Sequence, residues 1–137
     1  MTRKSIYYVV DDDPDDQQFL IEALSKNDPD TQCYSANSGN QAIGNLKNAT
    51  VPVPDAIFLD LNMPQGNGKQ CLAELKRDPS LKHIPVIIYS TTSNIKEILD
   101  ALRMGASHFM VKKSSFKGLR EELSLITSAL NKADSVK

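Results

Sequence analysis

The residues of this chain best suited to chemistry are carboxylates placed where apolar runs stop. Asp11-Asp12-Asp13-Pro14-Asp15-Asp16 follows Val9-Val10 directly, and Asp60 closes the run Ala56-Ile57-Phe58-Leu59. Asp13 is expected to cap a helix that Pro14 opens, and Asp15 and Asp16 suit the positive end of that helix. Asp11 and Asp12 stand before the cap and need another explanation: solvated acids, or ligands of a cation. If the strands that Asp11 and Asp60 terminate are neighbours, three carboxylates meet in one crevice. Like charges held that closely call for a cation, and oxygen ligands with positions left for water suit Mg²⁺.

Two more strand ends add what a phosphoryl group needs. Ser90-Thr91-Thr92-Ser93 supplies hydroxyls, which can donate to a phosphoryl oxygen, and Lys112-Lys113 supplies ammonium groups, which offset its charge. Ser93 or Asn94 is more simply read as the cap of the next helix.

The elements that must hold these residues alternate. Strands are expected over 5–10, 31–36, 56–60, 84–90 and 106–111. Between them, apolar residues recur at helical spacing: Phe19, Leu20, Ala23 and Leu24; then Ala42, Ile43 and Leu46 after the capping-box pattern Ser38-x-x-Gln41; then Cys71, Leu72 and Leu75. Ile95, Ile98, Leu99 and Leu102 form the fourth helix, with Gly105 as its stop, and Phe116, Leu119, Leu123, Ile126 and Leu130 give the last one its stripe. Strict β–α alternation with short linkers implies a parallel sheet covered on both faces by right-handed crossovers. The fold class expected is α/β, a doubly wound (βα)₅ domain of flavodoxin-like type with strand order 2-1-3-4-5.

A chain of 137 residues fits one domain. Sixteen basic residues against seventeen acidic ones leave no electrostatic reason to expect nucleic-acid binding. The N-terminal apolar run is too short for a signal peptide or a membrane span, so a cytoplasmic protein with no membrane contact is expected. Cys33 and Cys71 form no CxxC and are read as free, buried thiols. His83 and His108 have no partners at ligand spacing and are read as ordinary surface residues.

At this point the chain resembles the receiver domains of two-component response regulators, over nearly its full length. The resemblance rests on Val9-Val10-Asp11-Asp12, Asp60-Leu61-Asn62-Met63-Pro64 with Gly68 four residues on, Ser90-Thr91, and Gly105-Ala106 before Lys112. It implies that Asp60 is the phosphoacceptor, that Asp12 binds Mg²⁺ directly and Asp11 through water, and that Asn62 adds its backbone carbonyl. It makes Ser90 the switch hydroxyl, Phe109 the aromatic switch position, Lys112 the phosphate partner, and Asn62 and Thr92 the residues flanking the path of hydrolytic water. The receiver domain would span 1–131, with 132–137 a short polar tail and no output domain, as in stand-alone receivers. The implied partners are a sensor histidine kinase or phosphotransfer protein upstream and a protein target downstream, the latter met by the fourth and fifth helices and fifth strand.

Two residues depart from the family pattern. Phe109 lacks the hydroxyl of a tyrosine, and Lys113 stands where the family usually has proline. A cis bond before a non-proline residue costs roughly 2.5–4 kcal/mol, so a trans Lys112–Lys113 bond is expected, with Lys112 on the far side of Asp60 from the metal acids.

Three other readings compete. A Mg²⁺-dependent aspartyl-phosphate phosphohydrolase would need a second acid two residues after Asp60, where Asn62 stands. A flavodoxin-type cofactor module would need a phosphate-cradling loop where the aspartates lie, and Gly66-Asn67-Gly68-Lys69 lacks the flanking residues of a P-loop. A degenerate receiver acting only as a binding module would not need the full acid set.

Overall fold

The computed structural model describes residues 4–64 and 67–135. Ten elements alternate along it: β1 (Ile6–Val10), α1 (Pro14–Asn27), β2 (Gln32–Ala36), α2 (Gly39–Lys47), β3 (Ala56–Leu59), α3 (Asn67–Arg77), β4 (Val86–Ser90), α4 (Ile95–Arg103), β5 (His108–Val111) and α5 (Phe116–Ser135). The strands form one parallel sheet in the order β2-β1-β3-β4-β5. This is the expected doubly wound, flavodoxin-like arrangement.

Alternation along each strand divides the core in two. Tyr7 and Val9 of β1, Phe58 of β3, Ile87 and Tyr89 of β4 and Met110 of β5 face α1 and α5, where Leu20, Leu24, Leu119 and Leu123 meet them. Tyr8, Val10, Ile57, Leu59, Val86 and Ile88 face the opposite way, toward Ala42, Ile43, Leu72, Leu75 and Ala101 of α2, α3 and α4. A strand buried on both faces has no polar alternation to read, which is why these segments are continuously apolar. Each fully buried Leu or Ile contributes about 1.5–3 kcal/mol of transfer free energy.

Two strands begin later than their apolar character suggests. Ile84 is buried, but its N–H bonds to Leu81 O in a turn and Pro85 follows it, so β4 opens only at Val86. Ala106 is likewise buried, yet its N–H returns to Ala101 O at the end of α4. Gly105 ends α4 with φ of 111°, a conformation that any side chain would strain.

The caps follow the sequence closely. Asp13 accepts from the N–H groups of Asp15 and Asp16, Ser38 from Gln41, and Asn94 from Glu97. Gln41 returns its side-chain oxygen to the N–H of Asn37, one residue earlier than a standard capping box. In α5 the stripe is buried at Leu119, Leu123 and Ile126 and half-buried at Phe116 and Leu130, and the helix continues through Ser135, past the apolar pattern that ends at Leu130. In helix α4 Ala101 is buried, whereas Ile95, Leu99 and Leu102 of its apolar stripe are 70 %, 43 % and 40 % exposed. Cys33 and Cys71 are free thiols, half-buried and buried. Among the described residues no helix is long and apolar enough to cross a membrane.

Candidate functional site

Three chemically active residues sit one step beyond their strands, each hung by its N–H from the neighbouring strand. Asp11 donates to Ala36 O of β2, Asp60 to Val10 O of β1, and Lys112 to Ser90 O of β4, at 3.1, 3.0 and 2.7 Å. The ladder thus fixes three backbones at one edge of the sheet, while their side chains are released into the crevice beyond it.

Gln17 tightens the acidic corner from α1. Its buried amide donates to Asp11 O, to Ala36 O at 3.1 Å and to Asn37 Oδ1 at 2.9 Å, clipping the ends of β1 and β2 together. Sequence reasoning missed it, since a glutamine in the polar first turns of a helix, between Asp16 and Gln18, carries no motif. The other side of the crevice depends on Gly68. A Cβ there would lie 2.4 Å from Asp60 O and 2.5 Å from Leu61 Cα, so only glycine lets α3 start against the backbone that carries Asp60.

Carboxylate oxygens of Asp11, Asp12 and Asp60 all lie within 4.8 Å of one another. Asp11 and Asp60 are buried and Asp12 is exposed. Asp11 Oδ1 accepts from the N–H of Asp13 at 3.0 Å, and Asp60 Oδ1 from that of Asn62 at 2.9 Å, which leaves each carboxylate its second oxygen. An all-oxygen donor set of this kind, open to solvent at Asp12, fits a hard divalent cation.

Those second oxygens point at Lys112. Its Nζ donates to Asp16 Oδ2 at 2.8 Å, Asp11 Oδ2 at 2.9 Å and Asp60 Oδ2 at 3.2 Å. The ammonium also lies 5.5 Å from the centre of the Tyr89 ring. Two expectations are corrected here. Lys112 stands among the acids rather than beyond Asp60, because buried carboxylates draw in the cationic side chain within their reach. Asp16, read only as a helix-terminus charge, gives its carboxylate to Lys112. Its position in the first turn of α1 satisfied that simpler reading, so nothing in the sequence pointed to the lysine ninety-six residues on.

Burial alone would pull the Lys112 ammonium down, but hydrogen bonds to Asp16 and Asp11 and the charge of Asp60 outweigh it, so its pKa is raised. Burial also pushes the Asp11 carboxyl up, against the opposing pull of the Asp13 amide and Lys112. Both shifts favour keeping a proton in the crevice. The Lys112–Lys113 bond is trans, as expected, since the described residues contain no cis peptide. Lys113 turns away and pairs with Glu122 at 2.9 Å.

The remaining candidates form a second group beside the first. Ser90 is fully buried, and its Oγ accepts from Asn62 Nδ2 at 2.7 Å and from the N–H of Thr92 at 3.4 Å. Asn62 also reaches Thr91 Oγ1 at 3.1 Å. The Thr92 hydroxyl is tied into the first turn of α4, bonded to Glu97 and accepting from Asn94 N–H. Phe109 is half-buried against the α2–α4 side of the core. Gly66 of the weak P-loop pattern lies outside the described residues.

The family model for the response regulator receiver domain matches residues 8–124. The chain belongs to that family. This receiver is 28 % identical over 118 residues to response regulator Rcp1 of Synechocystis sp., covering 83 % of this chain and 80 % of the relative. Among solved structures, the phosphorylated cyanobacterial phytochrome response regulator RcpA superimposes with a TM-score of 0.81 at 29 % identity, covering 90 % of this chain and 91 % of the other. The Mn²⁺-bound form of response regulator Rcp1 gives 0.78 at 27 % identity, covering 90 % and 92 %. The two-component signalling role therefore applies to this receiver, as does the general association of the family with phosphodonor kinases and downstream targets.

Proposed function

We propose that Asp60 accepts a phosphoryl group from a phosphohistidine of a sensor histidine kinase or phosphotransfer protein, in a Mg²⁺-dependent reaction, and that a downstream protein reads the result. One observation carries this reading: the Asp60 carboxylate lies 3.2 Å from the Lys112 ammonium and within 4.8 Å of the Asp11 and Asp12 carboxylates, at the mouth of a parallel sheet. Asp11, Asp12 and Asp60 would hold the cation, with the Asn62 backbone carbonyl as a further ligand by family resemblance. Bound Mg²⁺ supplies positive charge to the phosphoryl oxygens.

The chain's own residues supply the rest. An Asp60 carboxylate oxygen forms the new bond to phosphorus as the donor's N–P bond breaks, and the imidazole leaves with that electron pair. No general base is needed, because the nucleophile is already an anion. Lys112 offsets charge on the transferred group, and positioning together with charge stabilisation accounts for most catalysis of this type. Ser90 accepts from Asn62 and Thr92 through its lone pairs, leaving its O–H proton to turn toward a phosphoryl oxygen. Hydrolysis of the acyl phosphate by water, past Asn62 and Thr92, would return the receiver to its resting state. The signal would leave through α4, whose exposed Ile95, Leu99 and Leu102 share one side of the helix.

A phosphohydrolase is disfavoured by Asn62, which stands where that chemistry needs an acid and whose amide is bonded to Ser90. Incubation with a small acyl phosphate and Mg²⁺, followed by intact mass measurement, tests the proposal. One phosphoryl adduct is expected on the native chain and none on Asp60→Asn; an adduct of equal yield on the variant would refute it.

A further inference from the structure

Asp16 makes the shortest of the three contacts to Lys112, at 2.8 Å, yet it is absent from the trio of acids whose oxygens lie within 4.8 Å of one another. Its side chain is 39 % exposed, against 3 % for Asp11 and 7 % for Asp60. The ammonium therefore spans the crevice from two acids on the floor to one at the rim. Asp16 shares the lysine but not the place where a metal would bind.

That difference has consequences when a divalent cation enters. The cation and the ammonium draw on the same carboxylates, Asp11 and Asp60, and they repel each other. As the cation takes those charges, the hold of the floor acids on Lys112 weakens and Asp16 is the partner that remains. We infer that Asp16 is a positioning residue that keeps the Lys112 ammonium at the rim of the crevice when Mg²⁺ occupies the acids, so that metal binding does not strand the lysine. The inference rests on the Mg²⁺-dependent reading of this site. The local structure supports it: Asp13 caps α1 and accepts from the N–H of Asp16, which fixes the backbone from which the carboxylate reaches Lys112.

Without Asp16 the ammonium has only Asp11 and Asp60, and it must either resist the metal or be driven into solvent. Asp16→Asn is thus expected to weaken Mg²⁺ binding through the lysine. Calorimetric titration of the full chain with MgCl₂ tests this in a cycle of four proteins: native, Asp16→Asn, Lys112→Met and the double variant. Methionine keeps the apolar stem and removes the charge. In the native background the dissociation constant should rise by about fivefold; in the Lys112→Met background it should change by less than about twofold, since an exposed charge acting only through space is screened. Asp16→Glu should restore binding to within about twofold of native, because it returns the carboxylate. Equal weakening in both backgrounds would overturn the inference by showing that Asp16 acts only through space. Unchanged binding in Asp16→Asn would overturn it by leaving Asp16 a helix-terminus charge. Failure of the native chain to bind Mg²⁺ would instead remove the metal-site reading itself.

Discussion

The amide of Asn62 donates to the hydroxyl of Ser90 at 2.7 Å, joining the loop after the candidate phosphoacceptor to the end of β4. Asn62 is exposed and Ser90 is fully buried, so the bond links the mouth of the crevice to the edge of the core. The two residues are expected to control the phosphoryl lifetime as a unit. Asn62→Ala and Ser90→Ala should each change the first-order loss of phosphoryl label, and the double variant should fall short of their product by about fivefold, a coupling of about 1 kcal/mol. Strictly multiplicative effects would show that the bond plays no part in the lifetime.

Gly68 is where the fold and the site meet most tightly. Because a methyl group would stand 2.4 Å from Asp60 O and 2.5 Å from Leu61 Cα, both backbone, no rotamer change can relieve the overlap. Gly68→Ala should destabilise the domain by about 2–3 kcal/mol, in the range of overpacked cores, despite alanine's better helix propensity. Phosphoryl uptake should fall as well, since the shifted backbone is the one that carries Asp60. Denaturant melts and acyl-phosphate labelling read the two effects; native stability in the variant would mean that α3 moves away freely.

Much of this was legible in the sequence. Asp11, Asp12, Asp60 and Lys112 were readable because they stand where continuous apolar runs stop. Strict alternation with helices implies the parallel doubly wound sheet, whereas the strand order 2-1-3-4-5 came from the flavodoxin-like type and not from the alternation. The caps at Asp13 and Ser38 were equally plain, because capping is local chemistry. Asp16 and Gln17 were not, for opposite reasons. Asp16 already had a sufficient local explanation, which hid a long-range one. Gln17 had none, because its three acceptors come together only when β1 and β2 lie side by side. The exposed stripe of α4 was set on the partner-facing side by the family resemblance rather than by its pattern, because helical spacing of apolar residues identifies a face but does not say whether this domain or another protein covers it.

Buried neutral acids predict how the domain responds to alkali. Burial pushes the Cys71 thiol up to about 12, the Cys33 thiol up to about 11 and the Tyr89 hydroxyl up to about 12. Each group holds its proton more tightly folded than unfolded, so its contribution to stability is complete below the unfolded pKa and is lost as pH rises toward the folded value. For the thiols that loss begins near pH 9, the ordinary cysteine value. Melting temperature should therefore decline from about pH 9 upward, and Cys71→Ala should flatten the decline even though its melting point at pH 7 is lower. An unchanged slope in the variant would assign the alkaline loss to other groups.

The ion cluster makes the opposite kind of variant informative, because one cation can replace another. Lys112→Met leaves the Asp11 carboxylate, 3 % exposed, without its ammonium, and breaking a buried pair in this way costs about 3 kcal/mol. A divalent cation held by Asp11, Asp12 and Asp60 would neutralise the same carboxylates. Millimolar Mg²⁺ should thus raise the melting temperature of native protein, as a ligand of the folded state alone must, and raise that of Lys112→Met by more. Asp12 provides the control. It is exposed and forms none of the hydrogen bonds to Lys112, so Asp12→Ala should melt like native protein in chelator yet gain little from Mg²⁺. If Lys112→Met gains no more than the native chain, the ammonium and the metal do not share carboxylates, and the electrostatic account of this crevice is wrong.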